Sequence, residues 1–155
     1  MRRPAARNPP RCARLLGVAR WVCPRCDREF GRERQAHTCV PGVTPEELLS
    51  RHPEWVADIY APIIEHLRSL GPIHEDAVNV GIFLLSDRKL AEFRPRVRWV
   101  QLALFLPDRI ESPRVSRVIR SGTDRFWHLI KLTDASEVDD ELREWLNASY
   151  QSSTD

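Results

Sequence analysis

The sequence predicts an α+β fold in which a small N-terminal module precedes a two-layer domain with a four-stranded, mainly antiparallel sheet and flanking helices. Three observations support this fold class. Cysteine and histidine cluster within residues 21–39, apolar residues recur at helical spacing in residues 53–70, and apolar residues alternate with a period of two between residues 78 and 132. Because short turns separate the alternating runs, we expect antiparallel neighbours with helices packed on one face of their sheet.

Residues 1–20 are rich in arginine and proline and show no apolar periodicity, so we predict a disordered basic arm there. Residues 1–40 hold ten arginines and three acidic residues, whereas the remaining 115 residues hold fourteen basic and nineteen acidic residues. The formal net charge of +2 conceals this asymmetry. A basic arm of this kind fits contact with nucleic acid, and a solubilising tail is the alternative.

Residues 21–39, WVCPRCDREFGRERQAHTC, contain four side chains that bind metals. Cys23 and Cys26 have the spacing C-x2-C, and His37 and Cys39 follow with one residue between them. Two thiolates on one turn, an imidazole and a third thiolate form a closed ligand set for a structural zinc ion. We therefore predict a zinc-knuckle-like module over these residues, with zinc as its structural cofactor.

The gap between His37 and Cys39 is shorter than the usual three to five residues. We expect a short helix over residues 32–37 to carry the histidine to the metal, and Phe30 to fill the small core. Two alternatives stay open, namely two disulfides among the four cysteines, or Cys12 in place of one ligand. Since no apolar signal segment is recognisable, we expect reduced thiols in a cytoplasmic protein.

Residues 40–51 are predicted to form a linker and a short helix. Val40-Pro41-Gly42 breaks the chain, and Thr44-Pro45-Glu46-Glu47 has the pattern of a helix start, with a hydroxyl cap, a proline and then acidic residues. The α+β domain follows over residues 52–151, and residues 152–155 are predicted to be a disordered tail.

Helices are predicted at both ends of this domain. Residues 53–70 form a helix with a wide apolar face, which Pro62 should kink or split. The last helix is predicted from Ser136 to Tyr150, with Ser136 and Asp139 as a capping box. A further short helix is predicted over residues 109–120.

Four strands are predicted between the helices. They cover residues 78–82, Leu90–Arg96, Trp99–Leu106 and Phe126–Leu132. Proline suits the end of the second strand. In the third strand, one face carries four aliphatic residues at alternate positions, namely Val100, Leu102, Leu104 and Leu106.

Candidate contacts to nucleic acid come from two arginine groups. The first lies in the zinc module and comprises Arg25, Arg28, Arg32 and Arg34. The second would share one sheet face if its strand continued past Pro95, and comprises Arg94, Arg96 and Arg98. Trp99, Phe126 and Trp127 are near in sequence and could stack on bases. The alternative is a solvated sheet rim with the aromatic residues in the core.

No phosphate-binding loop, nucleophile elbow or zinc-protease helix motif occurs, and no apolar run is long enough for a membrane helix. Asp139, Asp140 and Glu141 fit a helix start, and His128 is a lone strand histidine, so we expect structural roles for them. We therefore predict a non-catalytic zinc protein that contacts nucleic acid through the basic arm and the module. The alternatives are a protein–protein adaptor or small-ligand sensor, and an enzyme with an unrecognised site.

The module also resembles a known motif. Eight of its residues fall on the pattern C-P-x-C-x-R-x-F-x-R-x-x-Q-x-H-x-C, namely Cys23, Cys26, Arg28, Phe30, Arg32, Gln35, His37 and Cys39. This pattern resembles the N-terminal motif of bacterial proteins whose C-terminal domain is the domain of unknown function numbered 5655. From about His52 to Tyr150 the chain is similar to that domain. The resemblance implies family membership and carries no established activity.

Overall fold

Helices and strands separate into two layers in the computed structural model, which describes residues 19–154. The module contributes β1 (Trp21–Val22) and β2 (Glu29–Phe30), and the larger domain contains α1 (Pro45–Ser50), α2 (Glu54–Leu70), β3 (His74–Val78), β4 (Gly81–Leu85), β5 (Lys89–Pro95), β6 (Val100–Leu106), β7 (Val115–Ser121), β8 (Arg125–Leu132) and α3 (Asp140–Thr154). The larger sheet has the strand order β3-β4-β5-β6-β8-β7, and neighbouring strands are antiparallel. Residues 1–18 of the predicted basic arm lie outside the described part of the chain.

The start of α1 confirms the predicted cap. The Glu47 N–H donates to Thr44 Oγ1 at 3.1 Å, and the Thr44 N–H donates to the Glu47 carboxylate at 2.8 Å, which is a reciprocal capping box. In α2, the apolar face is buried as expected. The helix continues through Pro62, so of the two expected effects of this proline, a kink or a split, the split is excluded. The carbonyl of Asp58, which proline leaves without its helical partner, belongs to an exposed residue where water can replace that partner.

The sheet has six strands, so the prediction of four is wrong. The run at residues 78–82 spans the turn of a β3–β4 hairpin, in which Val78 pairs with Gly81 around Asn79 and Val80. Val80 is 61% exposed at this turn, so it is not an inward-facing residue of the predicted strand at residues 78–82.

The predicted helix at residues 109–120 is wrong as well, because residues 115–121 form the edge strand β7. Val115 and Val118 are three residues apart, a spacing that indicates a helix. They share one side of the strand because the register shifts between Val115 and Arg117, as in a β-bulge.

Helix α3 begins at Asp140, four residues later than predicted. A short 3-10 turn, Ala135–Glu137, precedes it, and the Asp139 carboxylate accepts the Leu142 N–H at 3.0 Å. Asp139 therefore caps this helix in place of Ser136. The helix also runs through most of the predicted disordered tail. Ser153 is fully buried there, and its hydroxyl contacts that of Ser86.

The main core lies between the sheet and the helices. Its side of β6 consists of the predicted alternating residues, with Val100, Leu102, Leu104 and Leu106 at most 1% exposed. The opposite side of the sheet, which we call the open face, carries Phe83, Glu92, Phe105 and Trp127 among others. No helix in the described part of the chain is long and apolar enough to cross a membrane.

Candidate metal centre

The C-x2-C turn joins β1 to β2. Trp21 pairs with Phe30, the Cys23 N–H donates to the Arg28 carbonyl at 2.9 Å, and the Asp27 N–H donates to the Cys23 carbonyl at 2.8 Å. Asp27 has a φ of 57°, a left-handed conformation that asparagine and aspartate tolerate better than most residues. This compact turn directs the thiols of Cys23 and Cys26 into one small space.

The four predicted ligands come together, with all four ligand atoms within 4.8 Å of one another. His37 Nε2 lies 3.5 Å from Cys26 Sγ and 3.2 Å from Cys39 Sγ, and Cys23 Sγ lies 3.9 Å from Cys39 Sγ. These three cysteines are free thiols, and their sulfurs are too far apart for a disulfide bond of about 2.05 Å. The cluster could hold a metal ion. Cys12 lies outside the described residues.

The predicted helix over residues 32–37 is not formed. The Gln35 N–H donates to the Arg32 carbonyl at 3.3 Å in a turn, Arg34 has a φ of 54°, and no helix follows. Residues 35–40 form neither helix nor strand, and the Val40 N–H donates to the Thr38 carbonyl at 2.9 Å in a tight turn around Cys39. His37 and Cys39 can therefore reach one ion with a single residue between them, which explains the short spacing.

The His37 ring has a fixed orientation. Its Nδ1 lies 2.6 Å from the Gln35 carbonyl oxygen, which can only accept a hydrogen bond. Nδ1 therefore carries the proton, and the lone pair of Nε2 faces the sulfurs of Cys26 and Cys39. A second hydrogen bond of this kind is typical of histidines that bind metals.

Backbone amides favour the thiolate of Cys23. Hydrogen bonds from the N–H groups of Arg25 and Cys26 lower the pKa of Cys23 to about 6 against the opposing effect of burial. Desolvation and the neighbouring thiols raise the pKa of Cys39. Since thiolates are the metal-binding form, a bound cation would stabilise the ionised state of both side chains.

Phe30 fills the small core of the module, as predicted. It is 7% exposed, and its ring stacks on that of His37 with centroids 4.0 Å apart. Trp21 packs against the same cluster and meets the His37 ring edge-on at 6.2 Å. His37 therefore belongs both to the hydrophobic contacts of the module and to its candidate metal ligands.

Arg28 joins the module to the larger domain. Its Nε and Nη2 donate to the Asp76 carboxylate at 2.9 and 2.7 Å, and its Nη1 donates to the Thr38 carbonyl at 3.2 Å. The hydrogen bond to Asp76 raises the pKa of Arg28. Arg28 is buried and its guanidinium is held by Asp76 and the Thr38 carbonyl, which argues against the predicted nucleic-acid contact of this residue. The role of Asp76 as the partner of Arg28 was not predicted, because the sequence shows only an acidic residue next to an apolar run.

The other predicted arginines divide into two groups. Arg25, Arg32 and Arg34 are exposed on the module. Arg94 pairs with Glu92 on β5. Arg96 and Arg98 are exposed in a turn beyond Pro95, where the Arg96 N–H donates to the Trp99 carbonyl at 2.8 Å, so the second group does not share a sheet face.

A groove with a volume of about 420 Å³ separates the module from the open face. Sequence reasoning did not find it, because segments about 45 residues apart form its two walls. The module wall includes Phe30, Gln35, His37 and Thr38, and the sheet wall includes Val78, Phe83, Leu85 and Lys89.

His128 has a structural role in the described chain. It is fully buried, and its Nε2 accepts the Ile110 N–H at 2.9 Å, which holds the loop before β7. The acidic residues at the start of α3 are used structurally too, since Arg114 Nη1 lies 2.8 Å from Asp139 and 2.9 Å from Glu141.

Comparison with known proteins identifies the larger domain. Residues 46–153 match the family model described as "Domain of unknown function (DUF5655)". The match begins inside α1 and leaves out the module with its Cys and His cluster. Searches of the curated proteins and of the solved structures found no match.

Proposed function

The chain belongs to the DUF5655 family of domains of unknown function, and we propose that it is a non-catalytic zinc-containing binding protein that contacts nucleic acid through its basic arm and zinc module. The observation that carries this proposal is the Cys and His cluster, which gathers a short segment whose surface carries exposed arginines.

Zinc fits the four ligands. In a tetrahedral site with Zn–S distances of about 2.3 Å and a Zn–N distance of about 2.0 Å, neighbouring sulfurs lie about 3.8 Å apart, and sulfur and nitrogen about 3.5 Å apart. The corresponding separations here are 3.9 Å between Cys23 and Cys39, and 3.5 and 3.2 Å from His37 to Cys26 and Cys39. Three thiolates and one imidazole also leave no position open for water, which favours a structural ion.

Metal content tests the zinc assignment. We expect purified protein to contain about one equivalent of zinc, and Cys26→Ala to lose it, because three remaining ligands hold the ion much more weakly. Cys12→Ser is the matched control and should retain the metal. Zinc loss in Cys12→Ser with retention in Cys26→Ala would overturn the ligand set.

Charge supports nucleic acid as the partner. Arg25, Arg32 and Arg34 are exposed on the module. Residues 1–40 contain ten arginines and only three acidic residues. Exposed guanidinium groups bind phosphates without sequence preference. This binding releases counterions from the nucleic acid, so its affinity falls steeply as the salt concentration rises.

A salt titration with the full-length zinc-loaded chain tests this partner. We expect affinity for nucleic acid to fall steeply with salt, and the triple variant Arg25→Gln, Arg32→Gln, Arg34→Gln to bind more weakly with a shallower slope. Arg143→Gln on α3, on the helical side, should leave both unchanged. Absence of binding at low salt would overturn the proposal.

The groove favours a second candidate, a small-ligand sensor or protein–protein adaptor. Its volume of about 420 Å³ lies in the range of small-molecule sites, and its walls are mainly apolar with Lys89 at one side. A salt-independent affinity for a ligand in this groove, without binding to nucleic acid, would favour this candidate.

A further inference from the structure

We propose that the open face and the adjoining groove form the binding path for a single strand of nucleic acid. This inference builds on the proposed function and names the form of the nucleic acid that is bound. It places the principal contacts on the sheet, whereas the arginines of the module supply additional charge.

Aromatic side chains line the centre of the open face. Phe105 on β6 and Trp127 on β8 are directly opposite in the register, and their rings stack with centroids 3.8 Å apart. Phe105 is only 7% exposed, so the half-buried Trp127 presents the ring surface of this pair. Phe83 on β4 is half-buried on the same face, at the edge of the groove. Unpaired bases stack on aromatic rings of this kind without regard to sequence.

Cations lie directly beside these rings. Lys89 Nζ lies 4.1 Å from the Phe83 ring centroid and 5.6 Å from that of Trp127, and the Arg125 guanidinium carbon lies 4.4 Å from the Phe105 centroid. Lys89 joins this face because the register shifts between Leu84 and Leu85. Rings and cations side by side match a strand whose bases and phosphates alternate.

The charge of the open face is positive. Five cations project from it, namely Lys89, Arg94, Arg117, Arg125 and Lys131, whereas its two carboxylates are Asp76, which is paired with Arg28, and Glu92. Among the described residues, Arg125 forms no ion pair, and its buried Nε has no hydrogen-bond partner. Arg125 therefore retains capacity for an anionic ligand such as a phosphate.

The groove favours a single strand over a duplex. Bases in a duplex are paired and stacked inside, so they cannot enter a groove, whereas a base of a single strand can turn outward. The groove holds about 420 Å³ between Phe30 of the module and Phe83 of the sheet, which is enough for a nucleotide, with Lys89 at its wall. A base in the groove would continue the line of bases on Phe83 and Trp127.

The test compares a thymidine homopolymer with a duplex of equal length, using full-length zinc-loaded protein. We expect the single strand to bind more tightly and to quench tryptophan fluorescence. Phe83→Leu and Trp127→Leu should each weaken its binding about fivefold or more, since the stacking ring is lost. Trp127→Phe should keep most of the affinity and lose much of the quenching. Trp55→Phe, on α2 in the helical layer, is the matched control and should change neither.

Charge reversal provides a test that does not depend on core packing. Lys131 is exposed, so Lys131→Glu should fold normally and weaken binding of the single strand more than Arg143→Glu on α3.

The outcomes separate this inference from the proposed function. If neither nucleic acid binds at low salt, both fail. If the duplex binds as tightly as the single strand, or if the open-face variants bind normally while the triple arginine variant of the module is weakened, the open-face path is overturned and the proposed function stands. Equally tight binding of poly-glutamate would overturn nucleic acid as the occupant.

Discussion

The Arg28 side chain belongs to two parts of the molecule at once. It lies two residues after Cys26, one of the candidate metal ligands, and its guanidinium forms two hydrogen bonds to Asp76, 48 residues later in the chain. Both side chains are less than 10% exposed. A buried pair of this kind adds little net stability compared with apolar residues, yet it is costly to break, because the remaining charge is left buried without a partner.

We therefore expect Asp76→Ala to lower the free energy of unfolding by about 3 kcal/mol, since it leaves the Arg28 guanidinium buried and uncompensated. Denaturant unfolding of the zinc-loaded protein measures this loss. The exposed pair of Arg34 and Glu33 is the matched control, and Glu33→Ala should change stability by less than about 0.5 kcal/mol.

The double replacement Arg28→Met with Asp76→Leu should recover most of the loss, because it removes both charges. A small effect of Asp76→Ala, or no recovery in the double variant, would show that this ion pair does not hold the two parts together.

The Cys and His cluster could be predicted from the sequence and the role of Asp76 could not, for a physical reason. Cys23 and Cys26 are close in sequence, and the preference of a thiolate for metal depends on its own chemistry. The role of Asp76 depends on a partner that only the folded chain brings near. The same holds for Arg28, whose charge looked available for phosphate until its burial was known.

Among the elements, α2 contains a local conflict. Pro62 lies in its interior, where proline removes one hydrogen bond and disfavours the helix, but the surrounding apolar positions Ile59, Ile63 and Leu67 are fully buried. Packing of this face against the sheet outweighs the local cost, so the helix is continuous. The apolar periodicity of this segment therefore predicted its helical structure better than the presence of Pro62 did.

We expect Pro62→Ala to raise the free energy of unfolding by about 1–2 kcal/mol, because alanine restores the backbone hydrogen bond while the unfolded chain gains some freedom. Thermal or denaturant unfolding measures the change. Pro45→Ala is the matched control, since Pro45 occupies the first turn of α1, where its missing N–H costs nothing, and should not be stabilising. Destabilisation by Pro62→Ala would mean that the proline ring itself is needed for packing.

The strands were predicted where their pattern is regular and missed where it is not. In β6 the alternation is unbroken, and its inward residues were identified correctly. In β7 a bulge places Val115 and Val118 on one side, which imitates a helical spacing. The β3–β4 turn lies at Asn79 and Val80, and the apolar Val80 concealed it. The sequence pattern was therefore misleading at the bulge and at the turn, where tertiary structure makes the chain locally irregular.

At the scale of the whole molecule, the chain has two separate apolar clusters. The larger one lies between the sheet and the helices, and the smaller one consists of Cys23, Cys26 and Phe30 with Trp21 against them. The smaller cluster is too small to hold a fold without further support, and small domains of this kind depend on a metal or disulfides. The family match also begins after the module, at residue 46.

Removal of the proposed zinc ion should therefore unfold the module and spare the larger domain. With a chelator at neutral pH, we expect residues 21–40 to lose protection against hydrogen exchange, while β4, β5, β6 and β8 keep theirs because their core involves no ligand. The edge strand β3 should lose some protection, since Asp76 is then separated from Arg28. Hydrogen exchange followed by mass spectrometry resolves these segments, and returning zinc should restore all of them. If every segment instead lost protection together, the two clusters would form one cooperative unit, and the metal would stabilise the sheet as well as the module.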